Sequence, residues 1–257
     1  MTRQLACDPK KGFDWRGYIS AVPTFVPQFI LTPERTALLV VDMQRSSADR
    51  NAGQGRWLQR EYPNIAAYYY DRVEDTVIPN IARLQTAFRQ RGSRVVFLTV
   101  GPQTLDGVDF NPLRRKREAE LLRDPDQMGI ICGGPQSLER GIPAQIGPHP
   151  GDVVLNKLTR GGFASTGLDL VLRNMGVEGL VIAGVVTNGC VWATAGDASD
   201  RGFKCVLVDD ACAAFTQMFH DTTLFLFGAS CGKVLQTDQT LALLGAPAEQ
   251  DRAQAAG

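Results

Sequence analysis

Thr36-Ala37-Leu38-Leu39-Val40-Val41-Asp42 decides the fold: five consecutive apolar residues with no polar alternation, then an abrupt carboxylate. A strand with one face in water alternates, so an unbroken apolar run marks a strand covered on both faces, as in a parallel sheet between helical layers. Downstream, Val73, Val77, Ile81, Leu84 and Phe88 recur at helical spacing and end at Arg91-Gly92, and Val95-Val96-Phe97-Leu98 forms the next apolar run. The two runs and the periodic stretch between them make one strand–helix–strand unit. Pro79 inside that stretch predicts a kink, or a helix that begins near it.

The rhythm resumes at Val153-Val154-Leu155, followed by a helix through Leu168, Leu170, Val171 and Leu172 and the run Leu180 to Gly184. A helix from about Cys190 to Ser199, the run Cys205 to Val208, a helix through Leu224, Phe225 and Phe227, and a short strand near Val234-Leu235 complete the series. Six strands alternating with helices predict a doubly wound α/β domain, a mostly parallel sheet with helices on both faces. Residues 1–34 are rich in Pro and aromatics (Trp15, Tyr18, Pro23, Phe25, Pro27, Phe29) without period, and read as an arm wrapping the domain or a neighbouring subunit. The domain spans 35–245, and 246–257 reads as a flexible tail.

Charge narrows the function classes. In 257 residues, 27 basic and 27 acidic side chains cancel, which leaves no broad field to hold nucleic acid or an anionic membrane and points to a small-molecule partner. The expected location is cytoplasmic, because Met1 to Gly12 lacks a signal-peptide core and no membrane-length apolar run occurs. Six cysteines without a CxxC pair predict free thiols. Two histidines, outside any HxH or HExxH spacing, supply a metal centre poorly, so neither metal nor cofactor is expected; His149, in a Gly-Pro-His-Pro turn, reads as an exposed loop residue. The connection 101–150 is long enough to form a site rim, and its cluster Arg114 to Glu118 reads as a solvated helix face.

Ligands of open parallel sheets bind beyond the carboxyl ends of the strands, so the residues that follow the apolar runs matter most. Asp42 ends the first run, Lys157 lies two residues past Leu155, and Cys190 lies six past Gly184, where a helix is expected to begin. Carboxylate, ammonium and thiol can therefore converge although 115 and 33 residues separate them. Singly, each has an ordinary reading: a turn-capping Asp, a solvated Lys, a small core Cys. Together they supply a nucleophile, a proton acceptor and a cation. A helix N-terminus and a nearby ammonium are expected to make thiolate available near neutral pH, Asp42 to shuttle the proton, and the amides around Asn188 to Cys190 to hold an oxyanion.

These residues resemble the isochorismatase-like cysteine hydrolases. The resemblance spans Thr36 to about Phe215 and rests on Ala37 to Gln44, on Asn156-Lys157 with Gly162-Phe163 and Thr166-Gly167-Leu168, and on Gly184 to Val191. It implies a Rossmann-like sheet, a catalytic set Cys190, Asp42 and Lys157, a cis peptide between Val186 and Thr187, and homo-oligomers, dimers or tetramers. The family's nicotinamidases carry a metal motif where this chain has Ser46 to Asn51, and its true isochorismatases generally lack the thiol, so Cys190 favours hydrolysis of an amide or ureido C–N bond. By resemblance the chain looks closest to the branch acting on biuret, triuret, ureidoacrylate or N-carbamoyl compounds. Gln44, Arg45, Arg160, Phe163, Asn188 and Trp192 are the candidate substrate contacts, with Arg45 or Arg160 facing a carboxylate or carbonyl. Vinyl-ether hydrolysis by Asp42 and a non-enzymatic thiol sensor are the alternatives.

Overall fold

The computed structural model describes residues 8–21, 26–121 and 134–245. Six strands, β1 (Thr36–Val41), β2 (Val95–Val100), β3 (Val153–Lys157), β4 (Gly179–Val185), β5 (Lys204–Ala213) and β6 (Lys233–Leu235), form one sheet in the order β3-β2-β1-β4-β5-β6. Every pairing is parallel, so the expectation of a mostly parallel sheet is met in full. The helices are α1 (Trp15–Ala21), α2 (Arg45–Ala48), α3 (Gly53–Glu61), α4 (Pro63–Arg72), α5 (Ile78–Gln90), α6 (Pro112–Leu121), α7 (Leu168–Asn174), α8 (Trp192–Asp200), α9 (Gln217–Ser230) and α10 (Thr237–Gly245). Among the described residues no helix is long and apolar enough to cross a membrane.

Side-chain parity splits the core in two. Leu38 and Val40 of β1 face Tyr69, Tyr70, Val73, Ile81, Leu84 and Phe88 of the α4–α5 side, while Leu39 and Val41 face Leu168, Leu172, Ala195, Ala198 and Leu224. All six residues of β1 are buried, which is why its sequence shows no alternation. Between α4 and α5 the helix widens into one π turn, Val73–Val77, immediately before Pro79. Proline has no N–H to donate and its ring crowds the carbonyl four residues back, so a wider turn there absorbs the defect while the apolar stripe continues.

The described part of the arm lies on its own domain. Gln217 donates its N–H to the Pro9 carbonyl (2.7 Å), the Phe13 N–H reaches Asp221 (3.0 Å), and Phe13, Tyr18 and Phe225 meet edge to face at 6.1 Å. Pro23 and Phe25 fall outside the described residues, as does the tail from 246. The connection 101–150 is pinned at its far end, where Arg45 donates its N–H to Gly141 (2.7 Å) and Gln85 its side-chain amide to Ile146 (3.0 Å). His149 is exposed, as expected from its turn.

The winding direction reverses between β1 and β4, and this is where an open α/β sheet forms its crevice. Their close approach requires glycine at position 184. Gly184 has φ +120°, and a Cβ there would lie 2.1 Å from the Val41 carbonyl oxygen. Gly184→Ala is therefore expected to cost at least ~2 kcal/mol, since backbone strain alone costs about 1–3. Gly196→Ala, in α8 with open space beside it, is expected to gain up to ~1 kcal/mol. Urea denaturation of both variants checks this, and equal midpoints would contradict it.

Candidate active site

Asp42 directly follows β1 and is the one non-glycine residue with positive φ (52°) among the described residues. Asp tolerates this left-handed conformation better than most side chains. It ends the strand as a hydrogen-bonding partner of its neighbours, and Gln44 replaces what is lost. The Gln44 amide accepts from the Val100 N–H (2.7 Å) and donates to the Val100 carbonyl (3.1 Å), as a strand neighbour would. Gln44 is fully buried and its amide is engaged at both ends, so it locks β1 to β2 rather than presenting a free substrate contact.

Lys157 closes β3, two residues past the apolar run, in register with Val100. Two strand spacings, about 10 Å, separate β3 from β1. The long lysine stem spans the gap on the inner side, and Nζ lies 2.8 Å from Asp42 Oδ2. Both side chains are buried, with Lys157 at 0% exposure. Nζ also donates to the Thr159 carbonyl (3.1 Å), whereas no backbone N–H or hydroxyl donates to either Asp42 oxygen among the described residues. Burial pulls the Lys157 ammonium down, but Asp42 and Cys190 outweigh it and its net shift is upward.

Cys190 sits in a π turn, Thr187–Val191, that leads into α8. The helix proper begins at Trp192, two residues later than expected, because Gly189 (φ −123°, ψ −107°) breaks the helical path. Two hydrogen bonds of Thr194 knit this turn to the loop after Lys157: its hydroxyl donates to the Cys190 carbonyl (2.7 Å) and accepts from the Gly162 N–H (3.1 Å). The thiol is within hydrogen-bonding reach of both Asp42 and Lys157. Burial, then the Asp42 charge, pushes the thiol up to about 12, with Lys157 and Arg114 only partly opposing. The expectation of a resting thiolate near neutral pH is therefore corrected: desolvation and the carboxylate outweigh the ammonium. The cis peptide is also displaced by one bond, to Val185–Val186 rather than Val186–Thr187.

The other expected contacts divide. Trp192 is half-buried against the α7–α8 side and Asn188 is exposed beside the thiol in sequence. Arg45 is engaged by Asp49 at 3.2 Å, and Arg160 is exposed. Phe163, expected as a substrate contact, packs in the core against Phe203 at 6.0 Å, with the Arg201 guanidinium over its ring. Val186 packs against the α4–α5 side, and the buried Thr187 hydroxyl points to His220.

Three nearby residues escaped the sequence reading. Tyr69 is fully buried, close enough to Cys190 and Asp42 for their charges, after burial itself and Tyr70, to raise its phenol. Its hydroxyl donates to the Ser47 carbonyl (3.1 Å). Arg114, from the cluster read as a solvated face, is half-buried and stacks 4.8 Å over Phe110. Phe110 packs with Val100 and Leu158, which flank Lys157. The only available signal was the placement of the cluster in the long connection. Among the described residues there is no group of three or more His, Cys, Asp or Glu side chains that could hold a metal ion. Cys190, Cys205, Cys212 and Cys231 are free thiols; Cys7 and Cys132 lie outside the described residues.

An all-parallel doubly wound sheet with thiol, carboxylate and ammonium gathered at its switch point defines an α/β protein of the isochorismatase-like fold. The Isochorismatase domain family matches residues 36–239, and the chain belongs to this family of hydrolases. It is 32% identical to ureidoacrylate amidohydrolase RutB of Serratia proteamaculans (strain 568) over 225 residues, 85% of this chain and 86% of that protein. The corresponding protein of Pantoea ananatis (strain LMG 20103) is 32% identical over 189 residues, 70% of each chain. A cysteine hydrolase of Pseudomonas syringae pv. phaseolicola 1448A shares the fold, with TM-score 0.68 and 24% identity over 85% of this chain and 96% of that one.

The raised thiol has a direct consequence. Iodoacetamide labelling of Cys190, followed by peptide mass spectrometry, is expected to accelerate roughly tenfold per pH unit from pH 6 to 9.5 without levelling, since only thiolate reacts. A plateau below pH 8 would show instead that the ammonium prevails.

Proposed function

We propose that the chain is a cysteine amidohydrolase that cleaves a C–N bond of a small ureido compound carrying a carboxylate. The carrying observation is the buried Asp42–Lys157 ion pair in contact with the Cys190 thiol. The resemblance to ureidoacrylate amidohydrolases supports the ureido class.

With the thiol neutral at rest, attack and deprotonation are coupled. Cys190 Sγ bonds to the ureido carbonyl carbon of R–NH–CO–NH2 as its proton passes to Asp42, and Lys157 stabilises the sulfur as its charge develops. The N–H groups of Gly189 and Val191 are taken by the Val186 carbonyl, which makes those of Asn188 and Cys190 the candidates for the oxyanion. Collapse breaks the C–N bond, and the proton held by Asp42 leaves with the amine as ammonia. Water then attacks the carbamoyl thioester, giving its proton to Asp42; the products are a carbamate and the free thiol, reprotonated from Asp42.

Arg114 is the side chain that best fits the carboxylate: its charge reaches the thiol from the rim and the Phe110 ring holds its plane.

Cys190→Ser is expected to abolish ammonia release, and Asp42→Asn to lower kcat by about 10²–10⁴-fold, the usual worth of a positioned proton carrier. Rapid quenching with ureidoacrylate or an N-carbamoyl amino acid is expected to trap the acyl group on the Cys190 peptide by mass spectrometry. Near-wild-type turnover by Cys190→Ser would refute the thiol mechanism. Arg114→Gln is expected to raise KM about tenfold for carboxylate-bearing ureido compounds and leave that for neutral biuret unchanged, a difference of roughly 1.4 kcal/mol. An equal change for both would remove Arg114 from substrate selection.

A further inference from the structure

Behind the turn that carries Cys190 lies a buried polar chain that the reaction above does not use. His220 of α9 is fully buried; its Nδ1 is 2.9 Å from the Thr187 hydroxyl and its Nε2 is 2.8 Å from Asp209 Oδ1. Thr187, itself at 0% exposure, opens the π turn three residues before the nucleophile. Asp209, in β5, is held in turn from three directions. Arg72 Nη2 donates to its carbonyl (3.0 Å) and Oδ1 (3.3 Å), Gln236 donates to Oδ2 (2.7 Å), and Arg16 of α1 pairs with the same Oδ2. Arg72 Nη2 also lies 2.9 Å from Nε2, and Arg72 Nε donates to the Cys212 carbonyl (2.9 Å).

The roles along this chain follow from its ends. Asp209 can only accept and Arg72 can only donate, and both lie within 2.9 Å of Nε2; the two hydrogens of Arg72 Nη2 are directed to the carbonyl and Oδ1 of Asp209, so the proton of a neutral imidazole belongs on Nε2, facing Asp209, and Nδ1 accepts from the Thr187 hydroxyl. Burial disfavours the imidazolium more strongly than Asp209 favours it, which keeps the ring in that neutral form. The Thr187 side chain is thereby fixed in one rotamer, and with it the start of the turn that sets the Cys190 thiol and its neighbouring amides. A hydrogen-bonded hydroxyl at this place is not needed for packing, because valine has the same shape.

We infer that His220 is a positioning residue for catalysis, which holds Thr187 and so the nucleophile turn, and that Asp209, clamped by Arg72 of α4 and Arg16 of the N-terminal arm, fixes the ring. The inference rests on the reading of Cys190 as the nucleophile. It also gives the arm a role in the site: its helix closes the far end of a chain that reaches the turn carrying the thiol.

The test uses the full-length protein with Thr187→Val, His220→Leu and His220→Gln. Glutamine can accept from Thr187 and donate to Asp209 in one neutral side chain, as the ring does. Thr187→Val and His220→Leu are each expected to lower kcat at least tenfold with KM changed less than threefold, the double variant to lose no more than the worse single one, and His220→Gln to recover to within about threefold of wild type. The same variants are labelled with iodoacetamide. A loosened turn exposes the thiol, so Cys190 labelling is expected to speed up at least fivefold in Thr187→Val and His220→Leu and to return towards wild type in His220→Gln.

Folded Thr187→Val with wild-type kcat and labelling rate would overturn the proposal, as would equal losses in folded His220→Gln and His220→Leu. Thr187→Val preserves the shape of the core and decides the matter if His220→Leu fails to fold. Should the wild-type protein release no ammonia from any ureido compound, the amidohydrolase reading falls, and the labelling rates still decide whether His220 holds the turn.

Discussion

The ion pair between Asp42 and Lys157 is the constraint around which the molecule is arranged. Two opposite charges removed from water recover the cost of desolvation only in good geometry, and losing either partner leaves an uncompensated buried charge. The pair joins strands that are not neighbours, and β2 between them runs past the end of β1, with Val100 in register with Lys157. Gln44 supplies Val100 with a hydrogen-bonding partner after the chain has turned away at Asp42. Among the described residues no backbone N–H or hydroxyl donates to the carboxylate, and this leaves its remaining lone pairs to the thiol.

A second consequence concerns the protonation state of the nucleophile. A thiol beside an ammonium alone would ionise easily; beside a buried ion pair it meets one charge of each sign, and desolvation decides in favour of the neutral form. In the proposed reaction such a site is quiet towards adventitious electrophiles and becomes reactive when a bound carbonyl lets bond formation and proton transfer to Asp42 proceed together. Tyr69 beneath the pair and Thr194 between the two loops restrict the motions that would separate the three groups.

The strand ends were legible because an apolar run buried on both faces stops at the first residue that must be polar, and that residue lies at the crevice of a parallel sheet. Asp42 announces itself in this way, whereas Lys157 stands two residues past the apolar run of an edge strand whose Val154 is exposed. What was not legible depends on partners distant in sequence. Gln44 looks like a free polar group until Val100 is brought beside it, and Phe163 looks like a substrate contact until Phe203 and Arg201 cover it. Tyr69 and His220 lie in helical stretches where a buried aromatic or a lone histidine is indistinguishable from ordinary packing. β5 continues to Ala213 through a register shift, past two aspartates that by their polarity read as the end of a strand. The state of the thiol was misjudged for a similar reason: sequence position predicts a nearby ammonium, but burial depth is set by the whole assembly.

In the proposed reaction, chemistry and selection are carried by different parts of the chain. The groups assigned to bond breaking stand at the ends of β1, β3 and β4, where the two cores fix them from both faces. Arg114 and Phe110 belong to the long connection, which is tied to α2, α5 and β3 by a few hydrogen bonds and meets Val100 and Leu158 in a small apolar contact. Loops on a rigid scaffold can change length and charge at little cost to stability. The substrate tail can thus be altered by replacing residues of the connection while the ion pair, the turn and the glycine at 184 stay as they are. The converse does not hold, because a change at Asp42, Lys157 or Gly184 disturbs the junction of β1 with its neighbours and therefore both cores at once.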